Sequence, residues 1–257
     1  MILDYDLHFG TFISRPNRFI AHIDIDGEEV ISHVPNTGRL KELLIPGVAV
    51  MLSYHSSESR KTKYELRMVK KNDSWISIDS QLPNALAYEA INKGIIKELI
   101  GYSHIKREVK YQNSRFDLQL ARTSIDQKDT LCIEDDTVGN NDPLDYGHHR
   151  DNICFVEVKG VTLEQDGWTR FPDAPTARGR KHIDELIHAA GHGYRAVLLF
   201  IIQLDRAKGF SPNHVTDPDF ASKIKEAMEA GVDILAYRCA VTPYEVKVTC
   251  KIPVELQ

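Results

Sequence analysis

The sequence predicts a small antiparallel β-barrel joined to a larger α/β domain. Residues 1–80 hold a succession of short β-like runs separated by turn signals. Near residue 80 the hydrophobic period changes from that of a strand to that of a helix. Beyond it, strand-like and helix-like segments alternate, the pattern of an α/β unit. At 257 residues, 42% hydrophobic and 27% charged, the chain has enough apolar material for one large core or two smaller ones. The pattern divides it at 1–80 and 81–257.

In the first part, β-like runs cover 8–14, 18–25, 29–34, 48–55 and 62–70, with 75–78 beyond. Asp26-Gly27, Pro35-Asn36-Thr37-Gly38 and Pro46-Gly47 are turn signals between them. Short, evenly spaced strands favour a closed antiparallel barrel over a parallel sheet. Between the third and fourth runs, Leu40, Leu43 and Leu44 recur at helical spacing, enough for a short helix over 39–44. Five strands with a helix at that point make the OB-fold plan, which commonly binds single strands or oligosaccharides on one face.

In the second part, 83–99 reads as a helix with Leu86, Ala87, Ala90, Ile91, Ile95 and Leu99 on one side, closed by Gly101. A hairpin follows, 104–111 and 114–121, joined through Gln112-Asn113. An acidic stretch, about 123–152, precedes a strand over 155–162. Helices are expected at 178–190 and 217–230, and strands at 194–203 and 232–240.

The net charge of −5 conceals an uneven distribution. Residues 123–152 carry eight acids against Lys128 and Arg150, which leaves the rest of the chain at +1. Basic residues cluster at Arg60, Lys61, Lys63, Arg67, Lys70 and Lys71, and again at Arg178, Arg180, Lys181 and His182. Local patches rather than net charge decide phosphate attraction, although a single patch is also consistent with a solvated face. Cys132, Cys154, Cys239 and Cys250 form no C-x-x-C pair, so they suggest neither a zinc site nor a disulfide framework. The start lacks the features of a signal peptide, and the apolar run 196–202 is too short to span a bilayer, so the expected location is cytoplasmic, with no membrane partner. No Walker loop, Rossmann glycine pattern or G-x-S-x-G elbow occurs. Oligomeric state is left open, a homo-oligomer included.

The chemistry concentrates in Phe155-Val156-Glu157-Val158-Lys159-Gly160-Val161-Thr162. Residues two apart in a strand face the same way, so Glu157 and Lys159 project together while Val156 and Val158 face a core. In the run 114–120, Asp117 shares the polar face with Arg115 and Gln119. If the two strands are neighbours, Asp117, Glu157 and Lys159 converge. Two carboxylates with a backbone carbonyl suit Mg²⁺ or Mn²⁺, and an adjacent ammonium can orient or activate a water. An E-x-K on a strand is equally a solvated ion pair when taken alone.

An Asp followed forty residues later by E-x-K, within helical flanks, resembles the PD-(D/E)xK nuclease superfamily. A narrower resemblance covers nearly the whole chain. His33-Val34-Pro35-Asn36-Thr37-Gly38-Arg39, Glu42-Leu43, Pro46-Gly47, Leu82-Pro83-Asn84, Ser114-Arg115-Phe116-Asp117, the Glu157 strand and the segment from Phe171 to Gly179 are similar to the sugar fermentation stimulation protein A family. That resemblance implies an OB-like domain joined to a PD-(D/E)xK-like, restriction-endonuclease-like α/β domain, DNA as partner, and a link to regulation of sugar, notably maltose, utilisation. An active Mg²⁺-dependent DNA endonuclease is the alternative. It implies Asp117 and Glu157 as metal ligands and Lys159 as the residue acting on the attacking water. Asn84 or Glu89 could add a ligand from the first helix. Arg39, Arg60, Lys61, Lys63, Arg178, Lys181 and His182 are the candidate phosphate contacts. Gln112 stands where the resemblance implies glycine.

Overall fold

The computed structural model describes residues 1–3, 6–112, 114–122 and 150–256. Most of the acidic stretch, with Cys132, lies outside them, as does Asn113 of the expected hairpin turn.

The first five strands close on themselves. They are β1 (Asp6–Asn17), β2 (Ile20–Ile25), β3 (Glu28–His33), β4 (Ala49–Tyr54) and β5 (Tyr64–Lys71). Strand β1 pairs antiparallel with both β2 and β4, β2 with β3, and β4 with β5, while β3 meets β5 in parallel at Ser32–Tyr64 and His33–Glu65. A sixth strand, β6 (Ser74–Ser77), lies outside β5. Phe12, Ile23, Leu52 and Leu66 are buried within the ring, whereas Met51, next to Leu52 on the other face of β4, packs in a second buried cluster.

The expected helix at 39–44 is a single turn. Leu43 and Leu44 both donate to the Leu40 carbonyl, at 3.1 and 2.9 Å, but Leu40 has φ 50° and so lies outside the right-handed helical region. Burial of Leu40, Leu43 and Leu44 in the ring's mouth produced the helix-like spacing. The preceding loop is gripped by Arg15, which donates to the carbonyls of Arg18, Asn36, Gly38 and Arg39.

Helix α1 (Leu82–Asn92) is shorter than its apolar pattern suggests. Gly94, at φ 66°, stops it: Ile95 N–H reaches the Ala90 carbonyl and Gly94 N–H that of Ile91, a Schellman closure. Only a 3₁₀ turn, Lys97–Leu99, follows. Then come β7 (His104–Tyr111), β8 (Ser114–Ala121), β9 (Ile153–Val161), β10 (Glu164–Gln165), β11 (Trp168–Phe171), α2 (Ala177–Gly191), β12 (Arg195–Ile202), β13 (Gly209–Pro212), α3 (Pro218–Glu229), β14 (Asp233–Val241) and β15 (Val246–Lys251). Six of these strands form one sheet, in the order β15-β14-β12-β9-β8-β7. Its centre, β9, β12 and β14, is parallel, and its flanks are antiparallel. Strands β10, β11 and β13 make a separate small sheet.

The central strands are apolar on both faces because both are covered. Val156, Val158, Leu199 and Ile201 pack in the cluster that holds α1, and Phe155, Leu198 and Phe200 in the cluster that holds α2 and α3. The latter cluster is continuous with the ring's interior. Gln112 has φ 49°, which explains why glycine would suit that position. Gly160 is required by close approach: a methyl there would lie 2.5 Å from Cγ of Pro83 and 3.2 Å from Nε2 of Gln203. Gly160→Ala is therefore expected to cost about 1–3 kcal/mol, read as a lower denaturant midpoint.

Candidate metal centre

The centre forms where two strands part. Strands β8 and β9 stay paired only as far as Leu118 opposite Val156. Beyond that point Asp117 takes the place of a backbone partner, its Oδ2 accepting the Val158 N–H at 2.7 Å. Its Oδ1 accepts from the Asn84 amide on α1, also at 2.7 Å. One turn of α1 and the split sheet thus fix both oxygens of this carboxylate.

Glu157 points from β9 towards α2 and is 2% exposed. Its Oε1 accepts from Lys159 Nζ at 2.6 Å and is hydrogen-bonded to Nδ1 of His182. Its Oε2 is buried and has no hydrogen-bond partner. Burial, and then the charge of Glu157, push the Asp117 carboxyl up to about 6. Burial also acts to raise Glu157, but the hydrogen bonds and charges of His182 and Lys159 outweigh it and hold Glu157 below the usual carboxylate range.

This donor set fits a hard divalent cation. Two coupled carboxylates, one with a buried oxygen lacking a donor, are costly to keep ionised without an added positive charge. Among the described residues, no group of three His, Cys, Asp or Glu side chains is gathered as a ready-made metal cage. The protein would then supply Asp117, Glu157 and backbone oxygen, with water completing the shell, as suits Mg²⁺ better than zinc.

The other candidates are dispersed around this centre. Arg178, Lys181 and His182, with Lys110 and Arg115, line a groove of about 660 Å³. Arg178 and Lys181 are exposed there, whereas His182 is 9% exposed and engaged with Glu157 instead of open to solvent. Arg39 lines a second cleft of about 690 Å³ with Arg18, Lys41 and Arg170, bounded by Gly160 and by the Pro172–Thr176 segment. The Arg39 N–H is held by Asp173 at 2.8 Å. Arg60 is paired with Glu65, Lys63 reaches the carbonyls of Ser56 and Ser57, and Lys61 is exposed in the same loop. Glu89 is not drawn to the centre: it binds the Met1 ammonium at 2.9 Å and Lys93. Lys110 and Arg170 carry no sequence signal of their own, because their place beside the site depends on the chain's return from distant elements.

Comparison with known proteins gives this geometry a family. Residues 13–78 match the model of the SfsA N-terminal OB domain, and residues 81–245 that of the sugar fermentation stimulation protein RE domain. The chain belongs to the sugar fermentation stimulation protein family. Homologues bearing that name in Clostridium tetani and Caldanaerobacter subterraneus subsp. tengcongensis are 46% and 43% identical to it over 241 residues. Each alignment covers 94% of this chain, and 94% and 93% of the respective homologue. The structure of Pyrococcus furiosus SfsA in complex with Ca²⁺ superposes with a TM-score of 0.81 at 29% identity, covering 99% of this chain and 98% of that one. The expected OB domain followed by an α/β domain is therefore the architecture of this family. No helix of the described residues is long and apolar enough to cross a membrane.

Proposed function

We propose that this member of the sugar fermentation stimulation family binds DNA and cleaves phosphodiester bonds with a divalent cation, Mg²⁺ or Mn²⁺, held by Asp117 and Glu157. The observation that carries this reading is the buried, unpartnered Oε2 of Glu157 beside a second carboxylate and the ammonium of Lys159. The Ca²⁺ in the Pyrococcus furiosus relative supports a divalent cation for the fold. A bound cation would supply charge stabilisation at the phosphoryl group and a more acidic water. Asn84 and the Val158 N–H orient Asp117, and Lys159 orients the attacking water. Arg178 and Lys181 hold phosphate in the groove, and Arg39 with Arg18 and Arg170 extends the path of positive charge into the cleft beside the ring.

Lys159→Ala tests this most selectively. Cation-dependent cleavage is expected to fall at least about 100-fold while DNA affinity stays within about threefold, because general acid–base groups contribute on that scale. Unchanged cleavage would refute the reading. DNA affinity is also expected to fall steeply between low and physiological salt, checked by gel shift, and a flat response would argue against phosphate contacts.

That no group of three metal-ligating side chains is gathered among the described residues favours a second reading: a DNA-binding regulator of sugar utilisation that does not cleave. Under that reading DNA is bound equally well by the wild type and by a protein lacking Asp117, Glu157 and Lys159, and no substrate is cut.

A further inference from the structure

We infer that His182 is a positioning residue for Glu157: it fixes Oε1 through Nδ1 so that Oε2 alone is presented to a cation. This rests on the cation centre proposed above and adds a residue to it. His182 lies on α2 between Arg178 and Glu157 and is 9% exposed. On one side, Arg178 Nε lies 3.4 Å from its Nε2. A guanidinium can only donate, which makes Nε2 the acceptor and Nδ1–H the donor; Lys159 Nζ also lies 3.4 Å from Nδ1, but its short bond, at 2.6 Å, is to Oε1 of Glu157. On the other side that Nδ1–H is directed at Oε1 of Glu157.

The bonding around Glu157 is lopsided. Lys159 Nζ, at 2.6 Å, and His182 both serve Oε1, while Oε2 is buried with no donor. A carboxylate serving only the fold would be expected to share two donors between its oxygens, because an unsatisfied buried acceptor is costly. Lys159 cannot be the sole anchor, since its ammonium ends a flexible stem and is the group assigned to the attacking water. The imidazole is rigid, buried and backed by Arg178, so Glu157 keeps its orientation when Lys159 turns away. Outer hydrogen bonds of this kind set how well a carboxylate ligand binds its metal.

The test is Ca²⁺ titration of the full chain by calorimetry, taking as the signal only the component that Glu157→Gln removes, so that binding to other acids is subtracted. His182→Ala is expected to weaken that component at least about tenfold. His182→Asn, whose Nδ2–H can replace the imidazole donor, is expected to stay within about threefold of wild type. Equal affinity in His182→Ala overturns the inference, and so does His182→Asn as weak as His182→Ala. Absence of any such component in the wild type removes the cation centre itself, a different failure. Should His182→Ala not fold, ¹⁵N shifts of the wild-type imidazole decide: the Nδ1–H tautomer is expected, and the Nε2–H tautomer overturns the inference.

Discussion

Asp117→Asn is expected to raise the thermal stability of the cation-free protein at pH 8 while abolishing cation-dependent cleavage. The substitution preserves shape and hydrogen bonding: the Asn carbonyl can accept the Val158 N–H, and Asn84 can turn its own amide to complement the new one. What it removes is a charge that burial and Glu157 disfavour. With the carboxyl pushed from 3.8 up to about 6, the native state holds its proton more tightly than the unfolded chain does. Stability therefore declines as pH rises through that interval, by about 2–3 kcal/mol in total, and is not penalised below it. The advantage of the Asn variant should be negligible near pH 4, grow towards pH 6 and then level off. Denaturant midpoints across that range, with a chelator present, check it; a variant less stable than wild type at pH 8 would mean that Asp117 serves the fold.

Asp217→Ala is expected to produce the opposite effect, a loss of about 3 kcal/mol and a melting temperature lower by roughly 6–12 °C. Asp217 is 3% exposed on its side chain and organises the start of two helices. Its Oδ1 caps α3 through the Phe220 N–H at 3.0 Å, its Oδ2 accepts the Thr176 N–H at 2.8 Å, and both bind Arg180. Truncation leaves those donors without an acceptor. Burial acts to raise this carboxyl, but the two backbone donors and Arg180 outweigh it and keep it below its ordinary 3.8. Its contribution is present above that value and is lost as pH falls through the lower native one. Wild type and variant should then differ by a constant amount at neutral pH and converge in acid. Because Thr176 and Arg180 begin α2, the variant should also weaken Ca²⁺ binding through His182, without touching the carboxylates.

Much of this arrangement was legible because it depends on local alternation. The ring strands, the β7–β8 hairpin and the facing of Glu157 and Lys159 follow from period-two patterning, which survives in any tertiary context that buries one face. Misreadings arose where tertiary burial imitated another period. Leu40, Leu43 and Leu44 recur like a helix because they plug the ring, and Ile95 and Leu99 continue the apolar stripe of α1 after Gly94 has turned the chain. Strands β10, β11 and β13 have no sequence signal because a two- or four-residue strand has no measurable period, and the pairing of β11 with β13 joins segments some forty residues apart. The engagement of His182 with Glu157 had no sequence signal beyond its place among basic residues, since it depends on how α2 crosses β9.

Under the proposed function, Glu157 belongs to a cation centre that acts on DNA. Incubating the purified wild type and Glu157→Ala with single-stranded, duplex and branched DNA, with and without Mg²⁺ or Mn²⁺, tests it while reading both gel shift and cleavage. Cleavage that requires the cation and disappears in the variant, with binding retained, is expected. Binding that is equal in both proteins, with no substrate cleaved under any condition, would contradict it.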